Sequence, residues 1–136
     1  MDEADLLFQL DGDADVMKYI TLGIPRTMDE VIEKSMPRVL HSYQDKSDFG
    51  IFAAYLINSD EYIGWFQFEK DKEFEDSIEI GWRLKKQYWG NGYATEVAIV
   101  LCELGIKMGK TIVARAMVEN LASIRVMEKA GLKFEK

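Results

Sequence analysis

The residues with the clearest capacity for chemistry form a glycine-containing turn at positions 87–95, with the sequence Gln-Tyr-Trp-Gly-Asn-Gly-Tyr-Ala-Thr. Gly90 and Gly92 permit positive φ angles and close backbone approach, so several amides can converge on one point. A helix that begins here adds unpaired amides and the positive end of its dipole. These features predict an anion site suited to phosphate. The turn lacks the Lys-Ser/Thr ending of a P-loop and the third glycine of a dinucleotide fingerprint, so an ordinary tight turn remains an alternative.

Hydrophobic periodicity predicts the elements that position this turn. Residues 3–19 have helical spacing with one break at 11–13, and Thr27 and Glu30 form a capping-box pattern that starts a second helix. Pro37 is expected to end or kink that helix, because proline lacks an amide and clashes with the preceding turn. Residues 49–57 and 62–68 then predict a β-hairpin.

In the second half of the chain, the spacing of apolar residues changes from a period of two residues to a period of about 3.6 residues. Residues 78–84 alternate between apolar and polar side chains, which predicts a third antiparallel strand with one buried face. A helix is predicted at 92–108, a strand at 111–117, a helix at 121–130 that Gly131 stops, and the start of a last strand at 132–134. The pattern predicts one α/β domain over residues 1–136, with a mixed sheet flanked by helices.

Composition excludes several classes of protein. A length of 136 residues fits one domain, and the single cysteine, Cys102, cannot form an internal disulfide. A net charge of -7 argues against binding along a nucleic-acid backbone, and no Cys/His cluster has metal-site spacing. There is no apolar run long enough to cross a membrane and no leader pattern, which predicts a cytoplasmic protein.

Charge is unevenly distributed along the chain. Residues 1–50 hold 11 acidic against 5 basic residues, a net of -6, whereas residues 83–136 hold 5 against 10, a net of +5. This asymmetry favours an anionic ligand at the C-terminal part and a cationic one at the N-terminal part, although solvated surface is an equal alternative.

Two sequence blocks resemble the GNAT superfamily of acetyl-CoA-dependent N-acetyltransferases. The first is Gln-x-x-Gly-x-Gly, carried by Gln87, Gly90 and Gly92, and the second is Asn-x-x-Ser followed by Glu-Lys-x-Gly, which begins at Asn120 and Ser123. The residues of both blocks are most similar to those of the family branch that is named for N-terminal acetylation of ribosomal proteins. The resemblance is dense over residues 62–136 and thin before them.

The resemblance implies that acetyl-CoA is the cofactor. Amides of the turn would hold its pyrophosphate, the backbone of a splayed strand pair would bind the pantetheine arm, and Asn120 would bind a pantetheine amide unless it serves only as a helix N-cap. The positions that the resemblance assigns to the cofactor are Trp82, Arg83, Leu84, Gln87, Tyr88, Trp89, Gly90, Asn91, Gly92, Tyr93, Ala94, Thr95 and Asn120.

The resemblance also implies direct acetyl transfer through a tetrahedral intermediate to a primary amine, either a protein N-terminus or a small amine. An alkylammonium must first lose a proton, and Glu79 is the candidate general base. Glu79 could instead only position the ammonium, or form a salt bridge to Arg83 on the same strand face. Ser123 is the candidate donor to the departing thiolate, and a plain helix-start serine is its alternative.

Family members have a strand before the first helix and a further strand pair after the second block, which this sequence lacks. Unpaired edge strands invite pairing, so we expect a shortened protein or a homodimer through a sheet edge. A noncatalytic acyl-CoA binding or sensing module, with Glu79 and Ser123 as structural residues, is the rival function. An interaction domain with a fortuitous glycine turn is the third.

Overall fold

Four strands form the central sheet in the computed structural model, which describes residues 3–42 and 49–133. They are β1 (Gly50–Tyr55), β2 (Tyr62–Lys70), β3 (Ser77–Leu84) and β4 (Thr111–Val113), and they lie in chain order across the sheet. The pairs β1–β2 and β2–β3 are antiparallel, whereas β3 and β4 are parallel. The mixed, mostly antiparallel sheet predicted from the sequence is therefore confirmed.

Helices cover both faces of this sheet. On one side lie α1 (Glu3–Asp11), α2 (Met28–Glu30) and α3 (Met36–His41), with a π-helical turn (Val31–Ser35) joining α2 to α3. On the other side lies α4 (Tyr93–Lys107), which contacts α5 (Leu121–Lys129).

The main core lies between the sheet and α4. Ile80 of β3 is buried against Ala98 and Cys102 of α4, as the alternating strand and the helical stripe require. Gly105 lets α4 approach β4 closely, because a Cβ there would lie 2.2 Å from Ile112 Cδ1. This contact fixes the helix whose first turn carries the candidate phosphate site.

The opposite face of the sheet carries the polar residues of β3. Glu79, Gly81 and Arg83 alternate with the core residues and therefore point toward α1–α3. They lie beside Trp65 and Gln67 of β2, since the antiparallel register pairs Trp65 with Arg83 and Gln67 with Gly81. This polar face contains the chemistry described below.

The second helical segment begins at the predicted capping box. The Thr27 hydroxyl accepts from the Glu30 amide at 3.2 Å, and the Glu30 carboxylate accepts from the Thr27 amide at 3.0 Å. Pro37 does not end the segment, because the hydrogen-bond ladder widens to the π turn ahead of it, where the Met36 amide donates to the Val31 carbonyl. The helical path then continues to the end of α3.

The N-terminal helix is shorter than the predicted span of 3–19. It ends at Asp11, and residues 14–20 form turns. The Asp13 carboxylate accepts from the Asp15 amide at 2.9 Å, a local bond that competes with helix continuation after Gly12. The prediction of one break at 11–13 was right, and the prediction of helix beyond it was wrong.

The C-terminal strands are also shorter than predicted. β4 ends at Val113 rather than at residue 117, and Leu132 and Lys133 are not in a strand. Phe134, the last residue of the predicted final strand, lies outside the described residues.

The strands β3 and β4 separate after a short pairing. Their register runs from Ser77–Thr111 to Glu79–Val113 and stops there, so the remainder of β3 has no partner on its β4 side within the described chain. An open β-strand edge presents unsatisfied amides and carbonyls. This opening is the splayed strand pair that the resemblance implies. The predicted homodimer through a sheet edge stays a prediction.

Candidate functional site

The glycine turn lies in open space ahead of α4. Gly90 and Gly92 have φ angles of 79° and 80°, the left-handed region that glycine adopts without strain, and a Cβ built on either would meet no atom within 4 Å. Gly92 is the N-cap of α4 and has no side chain to cap the first amides. The helix start therefore presents amides and its positive dipole end toward open space.

Side chains on either side of the turn hold its shape. The Asn91 amide group donates to the carbonyls of Tyr88 and Trp89 at 3.1 and 3.3 Å. The Trp89 indole donates to the Leu84 carbonyl at 2.9 Å, which ties the turn to the end of β3. The Tyr88 ring is buried, and its hydroxyl donates to the Glu61 carboxylate.

The geometry fits a coenzyme A molecule bound along this edge. The open turn can accept a pyrophosphate because no side chain fills the space above Gly90 and Gly92. The unpaired edge of β3, which includes Trp82 and Leu84, can accept an extended amide-bearing chain in the manner of an added strand. Trp82 and Leu84 themselves pack toward α4, so their contribution on this edge is backbone.

A cleft of about 190 Å³ opens beside the same edge, and we call it the acceptor cleft. The predicted site residues that line it are Glu79, Trp82, Arg83, Asn120 and Ser123. Residues 78–84 and 120–123 are thus brought together although about 40 positions separate them in sequence, as the two-block resemblance implies. The residues of the glycine turn do not line this cleft.

Glu79 is held by two partners inside the acceptor cleft. Its Oε1 accepts from Gln67 Nε2 at 3.2 Å, and its Oε2 lies 3.2 Å from Arg115 Nη1. The side chain is 26% exposed, so an incoming group can still reach the carboxylate. An ammonium that binds Glu79 must share these oxygens with the Arg115 guanidinium.

Arg115 is anchored by further carboxylates. It forms a two-point bond with Asp71 at 2.6 and 3.1 Å and lies 3.2 Å from Glu73. This bond, with two backbone amides that also reach the carboxylate, lowers the pKa of Asp71 to about 2. Arg115 is consequently fixed as a permanent cation next to Glu79.

Asn120 and Ser123 occupy the first turn of α5. The Asn120 Oδ1 accepts from the Ser123 backbone amide at 3.2 Å, which makes Asn120 the helix N-cap. The capping role weighed in the sequence analysis is thus observed, and it leaves the hydroxyl of Ser123 outside the cap while the residue lines the acceptor cleft.

The salt bridge suggested between Glu79 and Arg83 is not formed. Arg83 Nη1 instead bonds Asp11 Oδ1 at 2.6 Å, and the Asp11 carboxylate is fully buried. Asp11 also accepts from the Ser35 hydroxyl and lies 3.5 Å from Arg26. Glu79 and Arg83 lie four residues apart on the strand, about 13 Å at the usual rise, which is too far for direct contact without a bend. The Arg83 side chain therefore has a structural role of its own.

Sequence reasoning missed Arg115, Gln67 and Asp11. Arg115 could have been found from the parallel pairing of the strands, because Val113 faces Glu79 and the residue two positions later points to the same face. Asp11 follows Leu7 and Leu10 at helical spacing, so it occupies a core position on the apolar stripe.

Four other side chains with chemical capacity, those of His41, Lys85, Lys86 and Cys102, do not line the acceptor cleft. Cys102 is buried in the main core, and burial raises the pKa of its thiol. His41 is exposed at the end of α3. Lys86 is exposed and pairs with Asp15 at 2.6 Å, and the Lys85 ammonium lies 5.9 Å from the Tyr88 ring centre.

The fold, with its open glycine turn and its separated strands β3 and β4, is that of an acetyl-CoA-dependent acetyltransferase domain. The family model for the acetyltransferase (GNAT) domain matches residues 1–133. The chain is 30% identical over 140 residues to the FsC-acetyl coenzyme A-N(2)-transacetylase of Aspergillus fumigatus, covering 94% of this chain and 57% of that protein. The chain therefore belongs to the GNAT acetyltransferase family.

Solved structures agree with this membership. A GNAT-family acetyltransferase from Bacillus anthracis superposes with a TM-score of 0.74 at 30% identity, over 98% of this chain and 76% of that one. The aminoglycoside acetyltransferase AAC(6')-Ib in complex with coenzyme A gives a TM-score of 0.74 at 25% identity, over 99% and 82%.

The likeness to a ribosomal-protein acetyltransferase is one of fold alone. The ribosomal L7/L12 α-N-protein acetyltransferase has a TM-score of 0.74 at 17% identity, over 98% of this chain and 75% of that one.

In the described part of the chain, no helix has the length and apolar character needed to cross a membrane.

Proposed function

We propose that this chain transfers the acetyl group of acetyl-CoA to a primary amine, on a small molecule or a protein N-terminus. The observation that carries the proposal is the placement of Glu79 and Ser123 in one cleft beside the open edge of β3. The name of the fungal relative, an acetyl coenzyme A-N(2)-transacetylase, supports transfer to nitrogen. Acetyl-CoA supplies an activated thioester when bound.

Glu79 is proposed to take the proton of the acceptor ammonium at its carboxylate. An aliphatic ammonium has a pKa near 10 and is mostly protonated at neutral pH, so a nearby carboxylate is needed to attract and deprotonate it. Gln67 and Arg115 fix the orientation of the carboxylate, and its 26% exposure keeps it accessible. Arg115 is in this scheme a positioning residue.

Ser123 and the backbone of β3 are proposed to stabilise charge that develops during transfer. Free amides on the open edge of β3 can bond a developing oxyanion, and the Ser123 hydroxyl can donate a hydrogen bond to the departing sulfur. Asn120 keeps the start of α5, and with it Ser123, at the wall of the cleft. The turn from Gly90 to Gly92 is proposed to bond the pyrophosphate.

A noncatalytic acyl-CoA binding module is the second candidate, and one observation favours it. Both oxygens of Glu79 already have partners, Gln67 and Arg115, as expected for a structural carboxylate. In such a module the glycine turn binds the cofactor, and Glu79 accepts no proton.

The Glu79→Gln substitution distinguishes the two candidates. For the transferase we expect kcat to fall by roughly 100-fold, the usual contribution of a general base, with the Kd for acetyl-CoA unchanged. Turnover is measured as thiol release with a panel of amines and N-terminal peptides, and affinity by calorimetric titration. The buried Cys102 is the single thiol of the chain and gives little background.

Two control variants complete this experiment. Glu75→Gln removes an exposed carboxylate outside the cleft and is expected to leave turnover unchanged. Gly92→Trp places a large side chain in the open space of the turn and is expected to abolish cofactor binding. Cofactor binding without amine-dependent thiol release in the unsubstituted protein would instead support the binding module.

A further inference from the structure

A second cavity of about 340 Å³ lies between the α1–α3 layer and the polar face of β2 and β3, and we call it the basic cavity. Trp65, Gln67 and Arg83 line both the basic cavity and the acceptor cleft, so the two spaces adjoin. A substrate whose amine reaches Glu79 therefore has room to extend the rest of its structure toward the helical layer.

The charge of the basic cavity is opposite to that of the whole chain. Its ionisable lining residues are the cations Arg26, Lys34, Arg38 and Arg83 and a single carboxylate, Asp11. The chain itself has a net charge of -7. A cavity lined with cations in an acidic protein favours an anionic group over a cationic one.

Two of the lining cations, Lys34 and Arg38, are partly exposed to solvent. Lys34 is 61% exposed and has only a 3.7 Å contact with Glu30, one turn away on the helix. Arg38 is 40% exposed and forms a two-point pair with Glu69 at 2.6 and 3.3 Å, which leaves its remaining N–H donors for another acceptor. Both can therefore turn part of their hydrogen-bonding capacity toward a bound anion, whereas Arg26 and Arg83 are committed to Asp11.

A continuous series of contacts gives the distance from these cations to the catalytic carboxylate. Arg38 Nη2 bonds Glu69 Oε1 at 2.6 Å, Glu69 Oε1 bonds Gln67 Nε2 at 3.0 Å, and Gln67 Nε2 bonds Glu79 Oε1 at 3.2 Å. Arg38 Nη2 consequently lies no more than about 9 Å from Glu79 Oε1.

Arg83 adds an unused donor at the junction of the two spaces. Its Nε is buried and has no hydrogen-bond partner within the described chain, while its guanidinium lies over the Trp65 ring at 5.0 Å. Buried donors are nearly always satisfied in native proteins, so this N–H is a donor that a bound molecule can use. A carbonyl or carboxylate of a bound substrate can accept from it.

From these observations we propose that the acceptor is a compact amine that also carries a carboxylate, which reaches the cations of the basic cavity while the amine reaches Glu79. Free amino acids and short peptides with a free C-terminus have this chemistry. The inference rests on the proposed function, because it assigns the amine to Glu79. It places an anionic group beside the N-terminal helices, where the acidic excess of residues 1–50 favoured a cationic ligand.

The test compares each candidate acid with its own amide. Thiol release from acetyl-CoA is measured with free amino acids and glycyl dipeptides, each paired with its C-terminal amide, and with spermidine as a polycation. We expect kcat/KM to be at least about 10-fold higher for the best acid than for its amide, the usual effect of a charge-assisted hydrogen bond. Equal or faster turnover of the amide or of spermidine would overturn the inference and leave the proposed function intact.

Substitutions then locate the carboxylate. Lys34→Gln and Arg38→Gln are each expected to reduce the acid-to-amide ratio several-fold, because each removes one cation from the lining of the basic cavity. Comparing the acid with its amide in the same variant cancels any general loss of turnover that arises because Arg38 is connected to Glu79 through Glu69 and Gln67. Lys107→Gln, at the far end of α4, is the matched control and should leave the ratio unchanged. An unchanged ratio in all variants would show that the cavity does not bind the carboxylate.

A binding measurement separates this inference from the proposed function. Calorimetric titration of the best acid and its amide into the protein loaded with coenzyme A needs no turnover. Preferential binding of the acid without thiol release for any amine would contradict the transferase and support the anion site. Absence of that preference, with or without turnover, would contradict the anion site.

Discussion

The hydroxyl of Ser123 can be removed without disturbing the local structure that contains it. The Asn120 cap uses the Ser123 backbone amide, and alanine retains that amide and favours a helix. If the hydroxyl donates to the departing sulfur, Ser123→Ala should lower kcat by about 10-fold through loss of one hydrogen bond. Thiol release measures kcat, and circular dichroism should show unchanged helix content. Ser59→Ala, in the β1–β2 loop, is the control, and an unaffected kcat in Ser123→Ala would make Ser123 a helix-start residue only.

At the scale of single residues, the sequence predicts which side chains reach the cleft better than it predicts their partners. Glu79 and Ser123 face the same cleft, as the two-block resemblance implies. Arg83 and Glu79 share a strand face, which suggested an ion pair, but Asp11, 72 positions before Arg83, supplies the closer carboxylate. Ion-pair partners depend on tertiary contacts between distant segments, which one sequence does not reveal.

At the scale of elements, α5 allows the two roles of Asn120 to be separated. Asn120→Ala removes the N-cap acceptor and should destabilise the protein by about 1 kcal/mol. Asn120→Asp retains an oxygen for the Ser123 amide and should keep most of that stability, but it lacks the amide donor. If Asn120 also binds pantetheine, both variants should bind coenzyme A more weakly; if it is only a cap, Asn120→Asp should bind normally. Chemical denaturation and calorimetry measure the two effects.

Element boundaries were predictable where a local signal determines them. The capping box at Thr27 starts a helix because its hydrogen bonds are formed by residues three positions apart. The end of β4 had no such signal, since it falls where the pairing with β3 stops at Glu79 and Val113. A strand persists only where a partner pairs with it, and the separation is a property of the whole sheet.

At the scale of the whole molecule, the N-terminal helices and the sheet jointly enclose the basic cavity. Its lining comes from α1, the π turn and α3 on one side and from β1, β2 and β3 on the other. Neither layer forms this space alone, so substrate selection depends on how firmly the helical layer is attached to the sheet. The bond between Asp11 of α1 and Arg83 of β3 is a direct polar link between the layers.

Asp11→Ala tests this attachment. The substitution leaves the Arg83 guanidinium, whose pKa is lowered by burial, without its carboxylate partner. Loss of one partner of a buried pair costs about 3 kcal/mol or more of stability. Asp15→Ala is the matched control, because it breaks only the exposed pair with Lys86 and is expected to change the free energy of unfolding far less. Urea denaturation followed by tryptophan fluorescence measures both free energies of unfolding. Similar small losses of unfolding free energy in the two variants would show that packing alone attaches the helical layer to the sheet. A large loss confined to Asp11→Ala would establish the buried ion pair as the link that maintains the cavity.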